Sequence, residues 1–384
     1  MEEPSKTRRI YLDYNATTPP HPVALKAAKK ALELWGNPSS VHQTSTGAKA
    51  LLWETRQFLA RFIGCHPLEI IFTSGASEAN NQALKGLFSM AGKKRRELIV
   101  SAIEHPSIKA VAKWLSERGF KVHTVPVSKS GFLDESFFEE VLSENTLLVS
   151  IMRAHNETGV FFPIEKLIKK AHTKGAIFHS DMVQSLGKEK FSVKEWGVDL
   201  ASFSAHKVYG LKGCGALYCR KGVVLDNLIH GGGQERGRRA GTENLVSIAS
   251  FGAVLEKGEE LVEKSRELES LRDYLEKKVH SSLSGIKVVG EAAFRLPNTS
   301  CLCISGVEGE SLLMNLDLKG FSVSVGSACS SGKITESSSL RAMGLTTEEA
   351  RSSIRVSLGL GIEKKDIDLF VENLQAIVTR LRSL

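Results

Sequence analysis

The sequence predicts an α/β fold: a large domain with a mostly parallel sheet flanked by helices, joined to a smaller α+β domain. Three observations point to it. Helical and strand-like segments alternate from about residue 45 to residue 220, polar motif residues fall at the ends of apolar runs, and a charged helical stretch then leads into a second set of short strands. With 384 residues, 42% hydrophobic and 24% charged, the chain can build one large core and a smaller one. Residues 16–260 are expected to form the large domain, and residues 1–15 with 261–384 the small one.

The elements follow in order. Residues 47–63 carry apolar positions at helical spacing, and Gly64 stops them. Residues 69–73 read as a short strand. Thr73-Ser-Gly-Ala-Ser77 joins it to a helix running through Lys85. Gly75 lets the backbone approach a ligand closely, and the first amides of the helix with the Ser77 hydroxyl suit a phosphate, although a plain N-cap has the same spelling. Strands are predicted at 98–101, 121–125, 147–152, 176–180, 200–204 and 215–219, with helices at 107–118 and 164–173 between some of them. Alternation of this kind places ligands at the carboxyl ends of strands. A long charged helix from about 244 to 279, strands at 286–289 and 299–304, a helix from near Glu308, a strand at 353–357 and a terminal helix from about Lys364 complete the chain.

Charge and cysteine usage narrow the class. Fifty-one Lys and Arg against 43 Asp and Glu give a net charge of +8, spread thinly along the chain with no aromatic-basic motif; an acidic protein partner is expected before nucleic acid. Apolar runs fall short of a membrane span, and no charged leader with an apolar core opens the sequence, so a cytoplasmic protein is expected. The six cysteines form no CxxC pair and have no histidine at zinc-ligand spacing, which argues against a metal site or a disulfide framework. Cys301 and Cys303 alternate along a strand as small core residues. Cys329 differs, lying in the glycine- and serine-rich Val325-Gly-Ser-Ala-Cys-Ser-Ser-Gly332, where a reactive thiol would be placed.

Two segments carry the chemistry. Asp199-Leu-Ala-Ser-Phe-Ser-Ala-His206-Lys207 is an apolar run ending in Ser204, His206 and a lysine, and Gly175-Ala-Ile-Phe-His-Ser-Asp181 ends in a carboxylate. A lysine that condenses with an aldehyde and an acid that pairs with a pyridinium nitrogen are the groups pyridoxal phosphate requires. Each alone has a plainer explanation, a solvated loop lysine or a helix N-cap. Gln184, three residues past Asp181, and the donors Ser204 and His206 strengthen the pairing. His105, before Pro106, suits stacking on an aromatic ligand or capping a helix. Asn156, in His155-Asn-Glu-Thr-Gly159, belongs either to the same sheet edge or to a turn. Arg355 is a charge inside an otherwise apolar strand, fit to clamp a substrate carboxylate or to close an internal salt bridge.

Taken together, these stretches resemble one family. Tyr11-Leu-Asp-Tyr-Asn-Ala-Thr-Thr18, Gly36-Asn-Pro-Ser-Ser40, Phe72-Thr-Ser-Gly-Ala-Ser-Glu78, Glu104-His105, Asn156-Glu-Thr-Gly159, Asp181-Met-Val-Gln184, Ser204-Ala-His-Lys207, His230-Gly-Gly-Gly-Gln-Glu-Arg-Gly237, Arg239-Ala-Gly-Thr242, Gly326-Ser-Ala-Cys329 and Ser353-Ile-Arg355 run almost end to end. The chain resembles the cysteine desulfurases of the nitrogen-fixation and iron-sulfur-assembly group, class V aminotransferases of pyridoxal-phosphate fold type I. The resemblance implies that Lys207 anchors the cofactor, Asp181 pairs with the ring nitrogen, Gln184 bonds the ring hydroxyl and His105 stacks on the ring. It implies further that Ala76, Ser77, Ser204 and His206 hold the phosphate with Thr242 of the other subunit of a homodimer, while Asn37, Asn156 and Arg355 hold the substrate carboxylate. Cys329 would accept the sulfur of L-cysteine, activated by a nearby base such as His105, and pass it to a protein such as an iron-sulfur scaffold; a transferred cluster would also meet the chain there. A selenocysteine lyase or another β-eliminating lyase is the alternative on the same scaffold.

Some positions depart from the family's wording. Ala205 stands for a common Gly, His155 for an Asn and Leu211 for a Pro, with no cofactor-binding position lost. The chain ends at Leu384, soon after the terminal helix, short of the longer tail with which housekeeping members dock their scaffold.

Overall fold

Among the described residues thirteen short runs become strands. The computed structural model describes residues 9–92, 94–326 and 336–383; Cys329 lies outside the described residues. In chain order the strands are β1 (Ile10–Tyr11), β2 (Ile70–Thr73), β3 (Glu97–Ser101), β4 (Lys121–Val125), β5 (Thr146–Ser150), β6 (Ile177–Asp181), β7 (Leu200–Ser204), β8 (Gly215–Cys219), β9 (Ile286–Val288), β10 (Thr299–Ile304), β11 (Phe321–Ser322), β12 (Ser324–Val325) and β13 (Ser353–Ser357). Seven of them form one sheet in the order β2-β8-β7-β6-β5-β3-β4. Its pairings are parallel except where β8 opposes β2 and β7. Residues 205–214 alone separate β7 from β8, fewer than the roughly dozen that a helical crossover between parallel strands needs.

Helices cover both faces of this sheet, so the central strands are mostly buried, β7 at every position. Some of the polar groups they bury are paired across strands. His179 on β6 meets Ser150 on β5 through Nδ1 (2.8 Å) and Ser202 on β7 through Nε2 (3.0 Å), stitching three strands together. The helix Thr46–Ile63 buries Leu59, Ala60 and Ile63 and ends where Gly64 takes φ 73°, the left-handed turn expected of a C-terminal glycine.

A second core lies away from the large sheet. It joins Ile10 and Leu12 to residues of the sheet β12-β13-β10-β9 and of the helices Gly258–Ser282 and Lys364–Arg382, among them Leu275, Leu302, Ile354, Val356, Phe370 and Leu374. Cys301 and Cys303 are both buried on β10.

The single helix expected over 244–279 is two. Leu245–Leu255 is almost wholly buried, whereas Gly258–Ser282 is charged with one apolar face. Between them the chain passes under Phe62, where a Cβ on Gly258 would stand 2.3 Å from the ring. The expected strand 147–152 stops at Ser150, because the amide of Met152 turns to the carboxylate of Glu104 (2.9 Å).

One buried ion pair ties the segment leading to Thr242 onto the sheet. Glu235 accepts from Arg56 through both oxygens (2.5 and 2.9 Å) and from the amide of Phe72 (2.9 Å), while Arg56 also donates to the carbonyl of Ile70 (2.7 Å). Glu235 and Arg236 hold positive φ of 49° and 59°, a strain these bonds sustain. Glu235→Ala strands the guanidinium and is expected to cost about 3 kcal/mol of stability. Urea unfolding of the variant against wild type measures this, and a loss below about 1 kcal/mol, the level of an exposed pair, would contradict it.

Candidate active site

The sheet order carries its functional residues to one edge. β3, β5, β6 and β7 run in the same direction, so Glu104 and His105, Asp181 and Ser204 emerge together at their carboxyl ends. Lys207 follows β7 by one short turn. Its Nζ donates to the backbone carbonyls of Asn15 (2.7 Å) and Ala16 (2.6 Å), so an N-terminal segment forms one wall of the site. Tyr209, just beyond, holds φ 65°, a costly conformation for a bulky residue. It is pinned by its amide on the Thr18 hydroxyl (2.7 Å) and by the Leu360 amide on its own hydroxyl (3.0 Å).

Asp181 is buried, and both its oxygens accept, Oδ1 from the amide of Val183 (3.1 Å) and Oδ2 from Asn80 (2.8 Å). Asn80 donates a second time to the Ser107 hydroxyl (2.9 Å), which lies 2.8 Å from His105 Nδ1. Burial holds His105 below the usual imidazole range, with Asp181 pulling upward and Lys207 downward. Glu104, wholly enclosed, is pushed up to about 8 by burial; its Oε1 takes the Ser101 hydroxyl (2.5 Å) and the Met152 amide.

Gln184 reaches the same wall. Its Nε2 donates to the Asn15 carbonyl (3.1 Å), and its Oε1 accepts from Lys188 Nζ (3.0 Å), four residues on. A backbone carbonyl can only accept, so the bond to Asn15 fixes which way the carboxamide points. His206 meets the Thr17 hydroxyl (3.1 Å) and is pushed down to about 4, chiefly by burial and then by Lys207.

The helix Ala76–Ser89 starts after Gly75 without a side-chain cap. A Cβ placed on Gly75 would meet open space, and Gly215 on β8 has no room for one because the backbone of Gly75 lies 2.5 Å from where it would sit. The expected alternative of a plain capped start is therefore not what the chain builds. Ser77 is exposed in the first turn, its amide and hydroxyl directed by a helix end that favours anions.

A profile of the aminotransferase class V family matches residues 10–370. The chain belongs to that family.

This class V protein is similar to the cysteine desulfurase IscS of Dictyoglomus turgidum, 42% identical over 381 residues covering 98% of this chain and 96% of the relative. It is similar also to a cysteine desulfurase of Enterobacter agglomerans, 39% identical over 379 residues with coverage of 98% and 94%. Among solved structures, a NifS-like protein superposes with a TM-score of 0.91 at 36% identity, covering 97% of this chain and 100% of that one. SspA in complex with cysteine does so with a TM-score of 0.81 at 33% identity, covering 91% and 98%.

The remaining residues singled out from the sequence fall in different settings. Arg355 on β13 makes the internal ion pair, Nη2 to Asp13 (2.6 Å), and donates through Nη1 to the carbonyl of Asn156 (3.1 Å), while its Nε is buried without a partner among the described residues. Asn37 and Thr242 are exposed; Asn37 Oδ1 accepts from the Ser39 amide in its own turn. Asn15, Asn80, Ser107 and Lys188 were not singled out. Asn80 sits in a helix and reads as ordinary helix polarity, and the contribution of Asn15 is a backbone oxygen, which leaves no trace in residue type.

His155, the departure from Asn, is fully enclosed. Its Nδ1 accepts from the Thr158 amide (3.3 Å), Nε2 has no partner among the described residues, and burial pushes it down to about 3. Between about pH 6.5 and about 3 the unfolded chain takes up a proton that the folded site refuses, so acid costs about 1.4 kcal/mol per pH unit through this group. His155→Asn is expected to remove that share, making its stability relative to wild type about 2 kcal/mol more favourable at pH 5 than at pH 7. Urea titrations at the two pH values test it, and parallel pH profiles would refute it.

Proposed function

We propose that the chain is a cysteine desulfurase that holds pyridoxal phosphate, converts L-cysteine to L-alanine and takes the sulfur onto Cys329. The observation that carries this reading is the meeting of Lys207, Asp181 and His105 at one sheet edge in a chain whose relatives over 98% of its length are cysteine desulfurases. The residues fit the cofactor. An uncapped helix start beside the open space at Gly75 suits its phosphate, a buried acid suits its ring nitrogen, and a lysine stands beside both His105 and His206.

When bound, the cofactor supplies an electron-withdrawing ring that loosens the Cα proton of an amino acid. The chain's own groups do the rest. Asp181 would pair with the ring nitrogen and keep it protonated, Gln184 would bond the ring hydroxyl, and His105 would stack on the ring. Ala76, Ser77, Ser204 and His206, with Thr242 of the partner subunit, would hold the phosphate. Asn37, Asn156 and Arg355 would take the substrate carboxylate. Lys207 Nζ leaves its two carbonyl contacts and takes the Cα proton. Cys329 thiolate then attacks the substrate sulfur: an S–S bond forms as the Cβ–S bond breaks, the electron pair stays with carbon, and protonation completes alanine. The persulfide sulfur goes on to an acceptor such as an iron-sulfur scaffold protein. A cytoplasmic homodimer, with residues 16–260 as its cofactor-binding domain and 1–15 with 261–384 as the domain carrying Cys329, is the setting we assign; the separate second core supports that division.

The test feeds L-cysteine and a reductant to wild type and to Cys329→Ala, following alanine, sulfide and protein persulfide. Wild type is expected to give equimolar alanine and sulfide and a persulfide on Cys329, and the variant to keep its bound cofactor and lose the persulfide. Full desulfuration by the variant would sink the mechanism, and faster turnover of selenocysteine than cysteine would move the reading to a selenocysteine lyase.

A further inference from the structure

We propose that Asn80 and Ser107 are positioning residues that fix His105 as the neutral tautomer with its proton on Nε2. Donor and acceptor roles in this cluster leave little freedom. Asp181 accepts through both oxygens, so Asn80 must turn its amino group, not its carbonyl, toward Oδ2 at 2.8 Å. The second amino hydrogen then points at the Ser107 hydroxyl, 2.9 Å away, and takes one of its two lone pairs. What Ser107 has left to give is its own hydrogen, and its nearest recipient is His105 Nδ1 at 2.8 Å. The backbone amide of Ser107, which can only donate, faces the same Nδ1 at 3.2 Å as the N-cap bond of the helix Pro106–Ser116. Two donors on Nδ1 leave the ring proton to Nε2. The lowered basicity that burial gives His105 keeps the ring neutral and is consistent with this assignment.

The consequence changes the role expected from the sequence. With Nδ1 occupied, His105 offers an N–H through Nε2 and no lone pair, so in its resting state it stabilises a thiolate or another anion rather than stripping a proton from a thiol. That functional consequence rests on the proposed desulfurase reading; the tautomer does not.

The test reads the ring nitrogens directly, in purified enzyme with its cofactor, by nitrogen-15 NMR of histidine-labelled protein, with His105→Gln assigning the signal. Wild type is expected to show a protonated Nε2 and an unprotonated Nδ1. Ser107→Ala and Asn80→Ala each remove one link and should weaken the preference for Nε2–H by about fivefold, the worth of one hydrogen bond, while Ser107→Thr restores it. A wild-type ring protonated on Nδ1, or a Ser107→Ala ring with unchanged tautomer balance, overturns the proposal. Either result is independent of whether alanine is formed, so failure of the desulfurase reading is seen separately. Because Ser107 is half-buried in the first turn of a helix, its alanine variant is expected to fold even where Asn80→Ala does not.

Discussion

Lys207→Ala is expected to lower the release of alanine from L-cysteine by about 10³-fold, since one atom is asked both to anchor the cofactor and to carry the Cα proton. Lys188, the neighbouring amine, already donates to the Gln184 carboxamide. Removing Nζ also leaves the Asn15 and Ala16 carbonyls without its two bonds, although Asn15 keeps the Gln184 amide, so the wall they form is expected to stand. Far-ultraviolet circular dichroism should match wild type, and the change should appear in the absorbance of the bound cofactor and in the rate. A small primary amine added to the variant should recover part of the lost rate by carrying the proton in place of Nζ. Alanine release above about a tenth of wild type would show that Lys207 is not the proton carrier, because that residue loss is far smaller than proton transfer contributes.

How much of this was open to reading from the sequence depends on how local each cause is. β7 is buried at every position, so its composition alone betrays it, and Gly64 marks its helix end by a conformation few other residues accept. The break before Gly258 was hidden because its cause, the Phe62 ring, arrives from a distant part of the chain. Arg355 announced itself as a charge in an apolar strand, but its partner Asp13 lies 342 positions away and only the fold joins them. The same is true of the site. Lys207, Asp181 and His105 stand at the ends of apolar runs, where chemistry is exposed by rule. Asn80 lies 101 positions from the carboxylate it holds, and the oxygens that hold Lys207 belong to the backbone, 192 and 191 positions away. Nothing in residue type records such contacts. The legible residues are those that would touch the cofactor, and the missed ones are those that hold them in place.

Asp181→Asn separates these two layers, and a fall in alanine release of about 10²-fold to 10³-fold is expected, the scale of losing a preorganised electrostatic partner in an enclosed site. The substitution nearly preserves volume, so the burial of this position should survive. What changes is the number of acceptors. Asp181 now serves the Val183 amide with one oxygen and Asn80 with the other; an asparagine has a single oxygen and must turn its amino group toward one of the two donors or toward the ring nitrogen. A ring nitrogen facing that amino group loses its proton, and with it the capacity to draw electrons from Cα. The bound cofactor should therefore remain, held by its phosphate and by Lys207, while turnover falls. Asn80 loses the partner that sets its orientation, so the His105 tautomer should relax in this variant as well. Retained cofactor absorbance with slowed turnover and a relaxed His105 would tie the two observations to one carboxylate, whereas turnover within about tenfold of wild type would remove Asp181 from the reaction.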